Sequence, residues 1–333
     1  MARVFSGVKP TGDVQLGNYI GAFRHFVTDQ ETHDCFYCIV DLHAITVPMD
    51  PEELRRSSLD VTAIYLAAGI DPEKSTLFAQ SHVHEHAELA WVLGCFGMFG
   101  ELRRMTQFKE KAAKQKEGSA TLGLFAYPAL MAADILLYRS DRVPVGDDQR
   151  QHLELTRDIA QRFNGRFGDT FVLPQAAIPK VGARIMDLQD PRSKMSKSDD
   201  SPQGTIDLLD PPDVIRRKIK TAVTDSGREI LAREDKPAIS NLLAIYSAAS
   251  GRSIEQLESD YDGKGYGDLK ADLADALVAY LEPVQERYRR FASDPGELSR
   301  VLAQGAGKAQ AVAADTLAAV YEKVGFVPRA GSR

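Results

Sequence analysis

Over its first two-thirds the chain alternates apolar runs of strand length with amphipathic stretches of helical spacing, and few folds accept that alternation. Arg3 to Gly7 reads as a short strand, and a helical stretch runs from about Asn18 to Gln30. Cys35 to Asp41 is a second strand, Ser75 to Gln80 a third, and Val143-Pro144-Val145-Gly146 a strand end. Pro51 to Gly69 carries Leu54, Leu59, Ile64, Leu66 and Ala67 near helical spacing. Helical segments follow at about 86–98, 101–116, 127–138 and 148–162. Such βαβ order predicts a parallel, doubly wound, Rossmann-like sheet, because parallel strands need a crossover between them. Asp210-Pro211-Pro212-Asp213 then supplies a break and an acidic helix start. Beyond it strand signals largely vanish, and helices are expected at about 213–223, 237–250, 253–261, 267–292, 295–303 and 306–324. The expected organisation is an α/β domain over 1–210 and an α-helical domain over 211–333, whose last helix can pack back on the first.

A length of 333 residues, 44% of them hydrophobic and 26% charged, suits two globular cores. No apolar run approaches the ~18–20 residues of a membrane span. Met1 to Gly7 is too short and mixed for a signal peptide, so a cytoplasmic location is expected. The net charge of −6 argues against indiscriminate nucleic-acid binding but permits a local basic patch. Lys109, Lys111, Lys114 and Lys116, then Arg216, Arg217, Lys218 and Lys220, then Arg287, Arg289 and Arg290 are such clusters, each equally readable as a solvated helix face. Cys35 and Cys38 have C-x-x-C spacing, yet strand alternation points them to opposite faces, which favours core over a dithiol. Cys95, in an apolar segment, is expected in the core. His82, His84 and His86 could align on one side of a strand as metal ligands. The segment reads better as a strand ending at Gln80 and a helix opening near Glu85, and no protein metal site is expected.

The run Lys194-Met195-Ser196-Lys197-Ser198 places two ammonium groups and two hydroxyls on five residues, between Pro191 and Pro202. Those groups suit charge that grows on a polyphosphate during displacement at phosphorus. This string arises by chance in a chain of this length roughly once in ten thousand. Near the N-terminus, the first strand runs into Ser6-Gly7-Val8-Lys9-Pro10-Thr11-Gly12-Asp13-Val14-Gln15-Leu16-Gly17-Asn18-Tyr19. Its glycines let backbone approach a ligand, and Gly17-Asn18 opens a helix whose N–H groups favour an anion. No G-x-x-x-x-G-K-[ST] phosphate loop is present.

Together the two segments resemble the paired signatures of class I aminoacyl-tRNA synthetases, K-M-S-K-S and the H-I-G-H motif. The latter reads Gln15-Leu16-Gly17-Asn18 here, with Gln15 a departure from the usual His or Thr. Asp41 to Thr46, Arg104 to Lys109, Tyr127 to Asp134, Pro144 to Gln149, Lys180 to Met186 and Gly263 to Gly267 follow in the order of bacterial-type tryptophanyl-tRNA synthetases. The resemblance covers nearly the whole chain. It implies ATP-dependent activation of L-tryptophan, then transfer to the 3' end of tRNA(Trp), by a homodimer using Mg²⁺ held mainly by the nucleotide.

By the same resemblance, Lys194 and Lys197 neutralise the pyrophosphate leaving group with Ser196 and Ser198, on the loop that includes Met195. Lys111 reaches the phosphates or lies on a solvated face. Lys9, Pro10, Thr11, Gly17, Asn18, Gly146, Asp147, Asp148 and Ile185 are expected around ATP, with Asp148 on the ribose and Ile185 backbone on adenine. Gln107, Tyr127 and Gln149 are expected at the amino end of tryptophan. His43 is expected at the site or ordering its loop.

Tyr127, Met131 and Asp134 fall at i, i+4 and i+7, on one helix face. Met131 offers a soft wall to a flat ring, Asp134 can accept the indole N–H, and Phe5 can stack on it. A tyrosine-specific relative commonly has Gln where Met131 stands. That relative, a synthetase-like protein without catalysis, and a redox protein built on Cys35 and Cys38 are the competing readings. The last two leave the lysine loop unexplained. The helical domain is expected to bind the anticodon end of tRNA.

Overall fold

The computed structural model describes residues 1–10, 14–113, 120–146, 149–177, 185–195 and 202–328, the side chains of 110–113 excepted. Five parallel strands form one sheet: β1 (Arg3–Val8), β2 (Asp34–Ile39), β3 (Thr76–Ala79), β4 (Arg142–Pro144) and β5 (Gln175–Ala177). Their order is β3-β2-β1-β4-β5, so the winding reverses at β1, as the alternation predicts for a doubly wound sheet. Strand β5, three largely exposed residues, has no apolar pattern and went unread in the sequence.

The two faces of the sheet feed separate apolar cores. Val4, Cys35, Tyr37, Ile39 and Leu77 belong to one, and Phe5, Phe36, Cys38 and Phe78 to the other. Alternation along β2 therefore sends Cys35 and Cys38 to opposite faces, both buried and free, and no dithiol forms. Burial pushes the Cys35 thiol up to about 11 and the Cys38 thiol well above its ordinary value. Cys95 corrects the expectation: it is exposed, because it caps the outer side of its helix beyond Trp91 rather than facing the core.

Helical segments before the sheet's second half are α1 (Leu16–Asn18), a π turn over Tyr19–Phe23, α2 (Arg24–Asp29), α3 (Asp41–Ala44) and α4 (Pro51–Ala68). Then come α5 (Glu85–Gly94), α6 (Phe99–Arg104), α7 (Thr106–Ala113), α8 (Leu122–Leu136) and α9 (Arg150–Phe167). Local chemistry sets their ends. Asp50 caps α4 by accepting from the Glu52 and Glu53 N–H groups, Pro51 takes the first turn, and Gly69 closes it at φ +111°. The Thr121 hydroxyl caps α8.

After the double proline run α10 (Pro212–Thr221), α11 (Pro237–Ser250), α12 (Ile254–Asp260), α13 (Tyr266–Ala292) and α14 (Pro295–Val324). The last is one helix where the sequence suggested two. Gly305 lies in the gap between the expected segments 295–303 and 306–324, and it serves a close approach instead. A Cβ there would stand 1.8 Å from the Leu77 carbonyl oxygen. Helix α14 thus lies directly on the backbone of edge strand β3 and covers it. Ala306, Ala309, Ala313, Leu317 and Val320 share the core of α5, α8 and α9, while Leu298 and Leu302 join the core that α4 shares with α10, α11 and α13. Among the described residues no helix is long and apolar enough to cross a membrane.

Candidate active site

A cavity of about 290 Å³ opens at the carboxyl ends of β1, β2 and β4, where the strand order reverses. That is where open parallel sheets place ligands. Strand β1 contributes Phe5, Ser6 and Gly7, followed by Lys9. Gly7 is required by closeness, since a Cβ would stand 2.8 Å from Val40 Cγ1. Val40, His43 and Thr46 come from the end of β2 and α3, Gln107 from α7, and Tyr127, Met131, Asp134 and Ile135 from α8. Val143 to Val145 and Gln149 close the far side. Every residue expected around tryptophan therefore lines one cavity, three of them on one face of α8 as the i, i+4, i+7 spacing requires.

The polar corner of this cavity is Asp134, 2% exposed. Its Oδ2 accepts from His43 Nε2 at 2.7 Å, and its Oδ1 from Gln80 Nε2 and His86 Nδ1, each at 2.6 Å. Burial pushes this carboxyl up, but His43 and His86 outweigh burial and hold it down to about 2. Asp134 is therefore an anion at neutral pH, and both imidazole nitrogens facing it must carry the hydrogen. Gln80 Oε1 also accepts from the Leu42 N–H at 3.1 Å, tying the end of β2 to the same carboxylate. Across the cavity the Tyr127 hydroxyl meets His152 Nε2 at 2.7 Å, and the His43 and Tyr127 rings meet edge-on. Phe5 stacks on Tyr138 with ring centres 5.6 Å apart.

The two sequence signatures meet at Gly17 and Met195. A Cβ on Gly17 would be 3.5 Å from Ile185 and 3.9 Å from Met195. The Met195 N–H donates to the Ile185 carbonyl, Lys194 pairs with Met186, and the Asp187 N–H donates to Ser193. A short hairpin thus leads into the lysine loop. Its Met195 side chain is fully buried and anchors the loop's start, while Lys194 is exposed. On the return, the Leu16 N–H donates to Ile206 and the Leu208 N–H to Val14. The outer side of the hairpin is held by Asn241 on α11, whose amide accepts from the Met186 N–H at 2.8 Å and donates to its carbonyl at 2.9 Å. Pro10 is buried, Asn18 and Gly146 are exposed, and the Gly146 carbonyl accepts from Gln149. Thr11, Asp147, Asp148, Ser196, Lys197, Ser198 and the Lys111 side chain lie outside the described residues.

Gln80, His86, Tyr138 and His152 were missed as site neighbours in the sequence. The alternating His82, His84 and His86 do not share a side. His82 and His84 are exposed, while His86 opens α5 pointing inward, fully buried. The one available signal was the i, i+4 pair Asp134 and Tyr138.

A family model described as tRNA synthetases class I (W and Y) matches residues 1–282. A tryptophan–tRNA ligase of Caldanaerobacter subterraneus subsp. tengcongensis is 57% identical over 330 residues, 99% of this chain and 100% of that protein. The crystal structure of tryptophanyl-tRNA synthetase from Mycoplasma pneumoniae superposes with a TM-score of 0.90 at 40% identity, covering 98% of each chain. The Campylobacter jejuni tryptophanyl-tRNA synthetase complexed with ADP and tryptophan gives 0.85 at 38% identity, covering 97% of this chain and all of that one.

Proposed function

The chain belongs to the class I tRNA synthetases of the tryptophan and tyrosine type, and from that premise we propose that it is a tryptophan–tRNA ligase, an ATP-dependent enzyme that activates L-tryptophan and transfers it to tRNA(Trp). The observation that carries the choice of amino acid is the pairing of Met131 with the anionic Asp134 on one face of α8. An indole satisfies both, with its flat face on Met131 and Phe5 and its N–H on Asp134. Phenylalanine leaves the desolvated carboxylate without that partner, and sites built on such a bond discriminate by about 10⁴–10⁵.

In the first step the tryptophan carboxylate attacks the α-phosphorus of ATP in line, forming tryptophanyl-adenylate and releasing pyrophosphate. The protein's work is positioning and charge stabilisation. Gln107, Tyr127 and Gln149 hold the amino end. Lys9, Pro10, Thr11, Gly17 and Asn18 bring backbone and helix N-terminus to the phosphates. Lys194 and Lys197, with Ser196 and Ser198 and in reach of Lys111, stabilise the leaving pyrophosphate. Gly146 to Asp148 meet the ribose and Ile185 the adenine. Mg²⁺ enters as part of the substrate, on the triphosphate oxygens, and offsets their charge. A ribose hydroxyl of the terminal adenosine then attacks the adenylate carbonyl, giving tryptophanyl-tRNA and AMP.

Residues 1–210 form the catalytic part, and 211–333 the tRNA-binding part that meets the anticodon end, with α14 returning to the sheet. The working form is a cytoplasmic homodimer. Trp91, Phe99 and Leu122, each exposed, lie on α5, α6 and α8, of which α5 and α6 both meet α8, and such exposed apolar residues support a second copy there.

The test is pyrophosphate exchange into ATP with Mg²⁺ and each amino acid in turn. Exchange dependent on tryptophan alone is expected. Exchange with tyrosine would overturn the pocket, and none at all would overturn the activity. A monomer in light scattering at micromolar concentration would overturn the dimer.

A further inference from the structure

Asp134 is held from behind by residues that do not line the cavity. A carboxylate offers about four lone-pair positions. Both positions on Oδ1 are taken, by Gln80 and His86, and one on Oδ2 is taken by His43. Among the described residues, the position that remains is on Oδ2, the oxygen held by the cavity residue His43. His86 is fully buried, and its second nitrogen, Nε2, lies 2.7 Å from the Tyr138 hydroxyl. With Nδ1 donating to the carboxylate, a ring carrying that one hydrogen leaves Nε2 as an acceptor for the Tyr138 O–H. The Tyr138 ring is itself wedged against Phe5, Phe36 and Phe78 at 5.6, 4.7 and 5.6 Å. A directed chain thus runs from Tyr138 through His86 to Asp134, with Gln80 beside it.

We propose that His86, oriented by Tyr138 and assisted by Gln80, is a positioning residue that fills Oδ1 of Asp134 and so reserves Oδ2 for the indole N–H, setting discrimination against ring systems that lack this donor. The inference rests on the tryptophan reading above. A carboxylate without this backing could rotate, and either oxygen or neither would face the ligand.

The experiment compares the full-length protein with His86→Leu and His86→Gln in pyrophosphate exchange. The substrates are L-tryptophan and L-3-benzothienylalanine, in which sulfur replaces the N–H at nearly unchanged shape. For His86→Leu, kcat/KM for tryptophan falls about tenfold or more, chiefly through KM, while the analogue's changes by less than about threefold. His86→Gln, whose amide can donate to Asp134 and accept from Tyr138, recovers most of the discrimination. Equal losses for both substrates in His86→Leu would mean a packing role and overturn the proposal. If His86→Leu does not fold, the ¹⁵N shifts of His86 in the unaltered protein decide. A ring carrying hydrogen on Nδ1 supports the proposal, and hydrogen on Nε2 alone overturns it. Unaltered protein with no tryptophan-dependent exchange would remove the functional reading itself. Retained exchange with unchanged discrimination in His86→Leu would remove only the role of His86.

Discussion

Replacing Gly305 by alanine sets two opposing effects against each other. Alanine in a helix interior is favoured over glycine by about 1 kcal/mol. Against it, the new Cβ would sit 1.8 Å from the Leu77 carbonyl oxygen and 2.6 Å from its carbon. Ordinary carbon–oxygen contact is about 3.3–3.6 Å, so α14 or β3 must retreat by roughly 1.5 Å. β3 lies between β2 and α14, and backbone, unlike a side-chain tip, cannot rotate away. Overpacking of this kind costs about 1–3 kcal/mol and sometimes more; a clash into backbone belongs at the upper end, so after the ~1 kcal/mol from propensity the net expectation is a loss of about 2 kcal/mol. That corresponds to a fall of a few degrees in an apparent melting temperature. Gly307, two residues on, has nothing within 4 Å of its Cβ position. Gly307→Ala should therefore gain up to about 1 kcal/mol from propensity alone. Calorimetry or circular dichroism on the two variants gives opposite signs if the contact is as described. A Gly305→Ala protein as stable as Gly307→Ala would refute the close approach. The displacement should also reach the site, because β3 ends at Ala79 and the next residue, Gln80, holds Asp134.

The carboxyl of Asp134, held at about 2 against an ordinary 3.8, makes its stabilisation complete above about pH 4–5 and lost as pH falls through about 2. It amounts to about 2 kcal/mol. Denaturant melts of unaltered protein and Asp134→Asn should keep a constant gap from pH 8 to about 5 and close only in acid; a gap already closing near pH 6 contradicts this. Lys197→Ala should slow pyrophosphate exchange by about 10² or more with little change in tryptophan affinity by equilibrium dialysis, and affinity falling in step with the rate would contradict the division of roles. Asn241→Leu removes two hydrogen bonds from Met186 and should lower exchange by about tenfold through KM for ATP, whereas an effect confined to tryptophan KM would contradict the placement of that hairpin.

Much of the sheet was legible in the chain because β1, β2 and β3 are largely buried on both faces. Runs such as Cys35 to Val40 can hardly be anything else. Strand β5 was not, since Gln175 and two alanines carry no burial pattern. Gly305 misled in the opposite direction: a helix breaker by propensity, it sits in mid-helix because a neighbouring backbone excludes any side chain. For the cavity, the α8 face could be derived from spacing, whereas placing Phe5, His43, Gln107 and Gln149 beside it depended on resemblance. Spacing within a segment says nothing of which distant strand end it meets. Gln80 and His86 illustrate the limit, 54 and 48 residues from the carboxylate they hold. Neither sits in a local motif, and the reading of a strand ending at Gln80 and a helix opening near Glu85, which the structure bears out, says nothing of what His86 faces.

The covering of β3 by α14 also orders events during synthesis. The ribosome delivers the sheet's edge strand more than two hundred residues before the helix that shields it. Until residues 305–320 emerge, the β3 backbone and the apolar side of α5 have no cover. A nascent chain stalled anywhere in between presents an open strand edge, a template for pairing with other chains. A chain shortened before α14 therefore presents an aggregation hazard rather than a smaller working enzyme.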